Sequence, residues 1–158
     1  MRLLKLFALL AALTVAVAVT QAATADPAPP YNFDAVLAPA DGGSGSGEVK
    51  FRQPGDANEV VYLNTHVWGL LPDSSYRLQR ATDLVVDDNC TGTNWLTLGR
   101  DNFTPQAIET NPSGNGRARL SRDLTGVPRG RQFDIHFRVI DAADEVVLVS
   151  PCYQFTLR

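Results

Sequence analysis

Glu59-Val-Val-Tyr-Leu-Asn-Thr-His-Val-Trp68 alternates apolar and polar side chains along most of its length. Successive side chains of an extended chain point to opposite faces. Val61, Leu63, Thr65 and Val67 therefore share one side, and Tyr62, Asn64 and His66 share the other. Gln132-Phe-Asp-Ile-His-Phe-Arg-Val-Ile140 has the same order, with Phe133, Ile135, Phe137 and Val139 opposed to Asp134, His136 and Arg138. A strand written this way packs on one face and meets water or a partner on the other, which is the mark of antiparallel sheet.

Shorter runs of the same kind surround these two, parted by Gly, Pro, Asn and Asp. They predict strands at Phe33 to Ala38, Gly47 to Gln53, Ser75 to Ala81, Trp95 to Leu98, Pro105 to Glu109, Gly116 to Asp123, Glu145 to Ser150 and Cys152 to Leu157. Asp141-Ala-Ala-Asp144 reads as a hairpin turn, and Pro151 as a kink before the last strand. No stretch after residue 25 carries a helical stripe. The fold class that follows is all-β: an antiparallel two-sheet sandwich, immunoglobulin-like or Greek-key, of nine or ten short strands. The chain also repeats itself. Ser44-Gly-Ser-Gly-Glu-Val-Lys-Phe51 returns as Ser113-Gly-Asn-Gly-Arg-Ala-Arg-Leu120, and Gly69-Leu-Leu-Pro72 has a counterpart in Gly126-Val-Pro128. Duplication and twofold use of one turn chemistry both account for this.

Residues 1–25 have a different character. Arg2 and Lys5 precede an uncharged, mostly apolar run from Leu6 to Val19, and Ala23-Thr-Ala25 closes the segment. That order predicts a cleaved secretory signal peptide. An uncleaved anchor is the alternative, although the run is shorter than the roughly 20 residues that span hydrocarbon. A Pro-rich spacer, residues 26–32, leads to a single domain over 33–158. The expected location is secreted, extracellular or periplasmic, with no membrane span after cleavage. The two cysteines, Cys90 and Cys152, then read as a disulfide.

Without Arg2 and Lys5 the chain has 12 basic and 17 acidic residues, a net charge of −5. Such a balance argues against nucleic acid as the partner, because phosphate binding needs a concentrated basic face. The nearest approach to one is Arg117, Arg119, Arg122, Arg129 and Arg131. Arg117 and Arg119 lie two apart on a predicted strand and share a face. That face is either simply solvated or a patch for an anion or sulfated glycan.

Leu70-Leu-Pro72-Asp-Ser-Ser-Tyr76 resembles the tyrosine corner of fibronectin type III and related sandwiches. The resemblance implies that Tyr76 bonds back to upstream backbone, with Leu70 packing beside it and Pro72 setting the turn. Such corners are structural and imply no activity. The glycine-rich strands and the "GLLP" corner are also similar to chordin-type and copper/zinc superoxide dismutase-like extracellular sandwiches. Those enzymes use a histidine cluster, and this chain has only His66 and His136, so the dismutase activity is not carried over. The chain as a whole resembles uncharacterised secreted bacterial β-sandwich proteins, and it matches no enzyme family.

His66 and His136 lie on the polar faces of the two long strands. If those strands are neighbours, both imidazoles and Asp134 form a candidate transition-metal set; otherwise they are surface histidines. Asp83, Asp87 and Asp88, with Asn89 and Asn94, make an oxygen-rich loop that is a candidate Ca²⁺ site without EF-hand order. Asn89-Cys-Thr91 and Asn102-Phe-Thr104 match glycosylation acceptors. The serines of Gly42 to Gly47 form no Gly-x-Ser-x-Gly elbow. No catalytic residue is assigned and no cofactor is expected. Trp68, Trp95, Tyr31 and Tyr153 are candidate aromatic platforms, or else core. The functional expectation is a non-catalytic exported module that binds an extracellular protein or a glycan. The alternatives are a structural subunit of the cell envelope and a small hydrolase or metal-binding protein with a dispersed site. Oligomeric state stays open.

Overall fold

Val61, Leu63, Thr65 and Val67 are all buried, while Tyr62 is exposed and Asn64 and His66 are half-buried. The alternation in the sequence is therefore the alternation of inside and outside. The computed structural model describes residues 32–54, 60–100 and 104–158. The predicted signal peptide, Tyr31 and Asn102 lie outside the described residues, as do residues 26–31 of the spacer.

Twelve strands are present: β1 (Asn32–Pro39), β2 (Ser46–Arg52), β3 (Val60–Trp68), β4 (Ser75–Asp83), β5 (Leu96–Thr97), β6 (Gly99–Arg100), β7 (Thr104–Pro105), β8 (Ile108–Glu109), β9 (Gly116–Asp123), β10 (Gln132–Ile140), β11 (Val146–Val149) and β12 (Tyr153–Thr156). β9 and β10 have the predicted bounds. Asn32, placed in the spacer by the sequence reading, is already part of β1. Two predicted strands differ. The one predicted from Trp95 to Leu98 is reduced to β5, and β6 follows beyond it because the chain changes partners at Leu98. The stretch around Pro105 gives β7 and β8, as expected of a residue with no backbone N–H to donate.

All pairings are antiparallel, in the order β5-β4-β10-β11-β1-β2-β3-β9-β6-β7, with β12 along β10 and β8 beside β4. β1 belongs to both halves of this path. Its residues 32–37 pair with β2, and Ala38 and Pro39 pair with β11. At the far side two short segments stitch β4 to β9. β5 pairs with β4 while β6 pairs with β9, and β8 pairs with β4 while Thr110 bridges Gly116 of β9. The result is a nearly barrel-shaped antiparallel sheet, continuous where the sandwich expectation had two layers.

The repeated segment has a structural counterpart. Its two copies, β2 and β9, flank β3 in the same register: Gly47 and Gly116 both oppose Val67, Val49 and Ala118 oppose Thr65, and Phe51 and Leu120 oppose Leu63. Glycine is needed at both corners. A Cβ on Gly47 would lie 2.8 Å from the His66 carbonyl, and one on Gly116 would lie 2.8 Å from the Glu109 carbonyl. The interior is mainly apolar, with Thr65 among its few polar side chains, and near β12 it becomes aromatic. Phe33 stacks on Phe51 at 4.7 Å and on Tyr153 at 5.1 Å, and Phe133 stacks on Phe155 at 5.2 Å. Each such pair adds roughly 0.5–1.5 kcal/mol beyond the area it buries.

Candidate functional site

At the Leu70–Tyr76 corner the Leu71 N–H donates to the Tyr76 hydroxyl at 3.1 Å. Leu70 and Tyr76 are buried, whereas Leu71 is exposed. Pro72 precedes a turn in which Asp73 takes positive φ and the Ser74 hydroxyl donates to the Pro72 carbonyl. The corner fixes the crossing from β3 to β4 and presents no reactive group.

Cys90 and Cys152 are bonded to each other. The bridge ties the segment after β4 to the start of β12, and that segment folds over the outer face of β10. Within it the acidic side chains turn the chain. Asp83 Oδ2 accepts the N–H groups of Thr91 and Gly92 at 2.8 and 3.0 Å, and Asp87 Oδ1 accepts that of Asn89 at 3.1 Å. Asp88 occupies the left-handed region at φ 61°. Among the described residues no group of three acidic, histidine or cysteine side chains converges as a metal site. Of the candidate Ca²⁺ residues Asp83, Asp87 and Asp88, the first two accept the loop's own amides through one carboxylate oxygen each.

Asp134 is a correction to the sequence expectation. Its position in β10 puts it on the polar face, yet it is completely buried, and its Oδ2 accepts the Asp87 N–H at 2.8 Å. The covering loop, not the strand, decides its environment. The two histidines also separate. β3 is bordered by β2 and β9, and β10 by β4, β11 and β12, so His66 and His136 do not share a pair of neighbouring strands. The expected joint metal set of His66, His136 and Asp134 does not assemble.

His136 is half-buried instead. Its Nε2–H donates to the Gly92 carbonyl at 3.0 Å. Trp95 lies against it with ring centroids 4.5 Å apart. Ala81, opposite His136 in β4, is fully buried. The Arg138 guanidinium lies over the Trp95 ring at 4.1 Å from its centroid, and its Nε donates to Gln79 Oε1 at 2.7 Å. Tyr153 is engaged too, packed on Phe33 with its hydroxyl accepting the Val36 N–H at 2.9 Å. Neither Trp95 nor Tyr153 is an open platform.

Trp68 is open. It ends β3 with 37% of its surface exposed, and among the described residues its one ring neighbour is His66, edge-on at 5.9 Å. Beside it lies a cleft of about 300 Å³ bounded by Glu109, Asn115, Gly116 and Arg117. The β2–β3–β9 register sets Glu48, His66 and Arg117 in one outer row and Lys50, Asn64 and Arg119 in the next. Glu48 approaches Lys50 and His66 Nδ1 at 3.3 and 3.4 Å. Arg117 and Arg119 are exposed, with no ion pair among the described residues. Partial burial lowers the pKa of His66, and the nearby charges of Arg117 and Lys50 lower it further against the opposing pull of Glu48.

Arg122 is not part of this outer row. It opposes inward-facing Val61, and Arg80 likewise opposes inward-facing Phe137. Both guanidiniums line an apolar cavity at the end of the barrel away from Gly47 and Gly116. The sequence carried that signal. Tyr76, Leu78 and Arg80 share one phase, as do Ala118, Leu120 and Arg122, so continued alternation turns both arginines inward.

No family model, curated protein or solved structure matches this chain.

Proposed function

We propose that this protein is an exported, non-catalytic binding module whose outer β2–β3–β9 face takes an acidic glycan. The observation that carries the reading is Trp68, exposed at the rim of a polar cleft while the other tryptophan is half-buried against His136 and Arg138. An exposed indole offers a flat apolar surface for a sugar ring. Asn115 and Glu109 offer hydrogen-bonding groups at the same rim, and Arg117 and Arg119 supply positive charge on a chain that is acidic as a whole. Arginine suits carboxylate and sulfate groups because its planar fork donates two parallel hydrogen bonds. The disulfide fits an oxidising compartment, which favours export.

Heparin and a neutral oligosaccharide, titrated at low and high salt, test this. The expectation is saturable heparin binding that weakens with salt. Trp68→Ala and the double substitution Arg117→Ala, Arg119→Ala should each weaken it about tenfold or more, the loss of one or two charge-assisted contacts. Absence of heparin binding at low salt ends the acidic-glycan reading.

A further inference from the structure

The cavity at the far end of the barrel is lined by apolar side chains together with Arg80, Arg122 and Thr82. Its volume is about 110 Å³, and Phe51, Leu98, Leu124 and Phe155 form much of its wall. Arg80 occupies the inward position after Tyr76 and Leu78, where the strand pattern otherwise supplies an apolar side chain. Its Nη1 donates to Thr82 Oγ1 at 3.1 Å, and no carboxylate pairs with it among the described residues. Desolvation lowers the pKa of Arg80, and the charge of Arg122 lowers it further. Removing a cation from water is unfavourable unless an anion or strong acceptors compensate. A hydroxyl is weak compensation, and a second cation opposes it.

From this arrangement we infer that the cavity binds a small organic carboxylate, with its hydrocarbon part against Phe51, Leu98, Leu124 and Phe155 and its carboxylate held by Arg80 beside Arg122. A carboxylate matches the guanidinium fork and brings negative charge to Arg80, and no acidic side chain among the described residues lines the cavity. The apolar wall disfavours a bare inorganic anion, which would lose water and gain no apolar contact. Size limits the hydrocarbon part. A closed apolar cavity of roughly 150 Å³ holds benzene, whereas drug-sized ligands occupy roughly 300 Å³ or more. A short branched chain or a single ring is therefore the fitting class. This site is independent of the outer glycan face, because Arg80 and Arg122 are in the inward phase of their strands and Arg117 and Arg119 are in the outward phase.

Isovalerate and benzoate are the probes, each titrated against its neutral amide, with inorganic phosphate as a third arm. Binding is read by calorimetry and by methyl resonances of Leu98, Leu124 and Val127. The acids are expected to bind saturably, to shift those methyls, and to bind about tenfold or more tightly than the amides, as a charge-assisted hydrogen bond would give. Arg80→Met should remove that preference and also raise Tm without ligand, because it replaces a half-buried cation that has no carboxylate partner among the described residues with a side chain suited to the cavity. Arg80→Lys should retain the preference for acid over amide in weakened form, which separates loss of charge from loss of fold. Equal binding of acid and amide, no saturable response to either acid, phosphate binding as tightly as the acids, or shifts confined to the Trp68 face would each overturn the assignment.

Discussion

Trp68 and Trp95 each lie against a histidine on the outside of the barrel, and only one of these pairs is covered. Trp95 and His136 lie under a segment anchored by the Cys90–Cys152 bridge and turned by Asp83 and Asp87, with Arg138 stacked on the indole. Among the described residues no such segment covers Trp68 and His66, and their strand is bordered by two similar glycine-led segments in matching register. Chemically similar pairs thus serve different ends. One contributes packing between a loop and a sheet, and the other leaves an aromatic face available to a ligand. Exposure follows from what the rest of the chain lays over the strand, not from the pair itself.

The largest test of this contrast is the disulfide. Replacing Cys90 and Cys152 with serine reopens a 62-residue separation and should cost about 4 kcal/mol by the chain-entropy argument. Chemical denaturation measures the cost, and the fluorescence of Trp95 should move toward that of an exposed indole while Trp68 stays as it was. An unchanged Trp95 signal would mean that the cover holds without its bridge, and the contrast would then lie elsewhere. Next in size is a pair of substitutions. Trp95→Ala should lower stability by about 2 kcal/mol, less than full burial would imply because the ring is half-buried. Trp68→Ala should stay within about 1 kcal/mol of the parent, the range of surface changes. Similar losses in both variants would erase the distinction between packed and available indoles.

The smallest expected effect is a pH dependence at His66. Its pKa in the folded protein lies below the ordinary histidine value, so near and below that value the unfolded chain binds more protons. Stability from this group is complete above about pH 6.5 and is lost as pH falls through the lowered folded value. His66→Asn should flatten that part of the stability profile in thermal melts between neutral and mildly acidic pH. A profile left as steep as the parent's would assign the effect to other groups.

Much of the framework was legible because it depends on local alternation. β9 and β10 have their predicted bounds, and the buried side of β3 is the predicted side. What was not legible depends on contacts distant in sequence. Asp134 reads as solvent-facing until the segment after β4 folds over it. The separation of His66 from His136 follows from strand order, which period-2 patterns do not encode. The near closure of the sheet rests on pairs only two residues long around Leu98 and Ile108, too short to carry a periodic signal. Arg80 and Arg122 are a different case. Their inward phase was written in the strands, but the charge of a guanidinium argues for the surface and the basic run from Arg117 drew Arg122 into a surface patch.

The strand nearest the start of the described chain is hydrogen-bonded to one of the last. Ala38 pairs with Val149, and the Val36 amide is held by the hydroxyl of Tyr153. The ring of strands is therefore completed only when residues more than a hundred positions apart have met, and pairings of such long sequence separation form slowly. A polypeptide with this topology stays unfinished, and open to threading through a narrow pore, until its final strands are available.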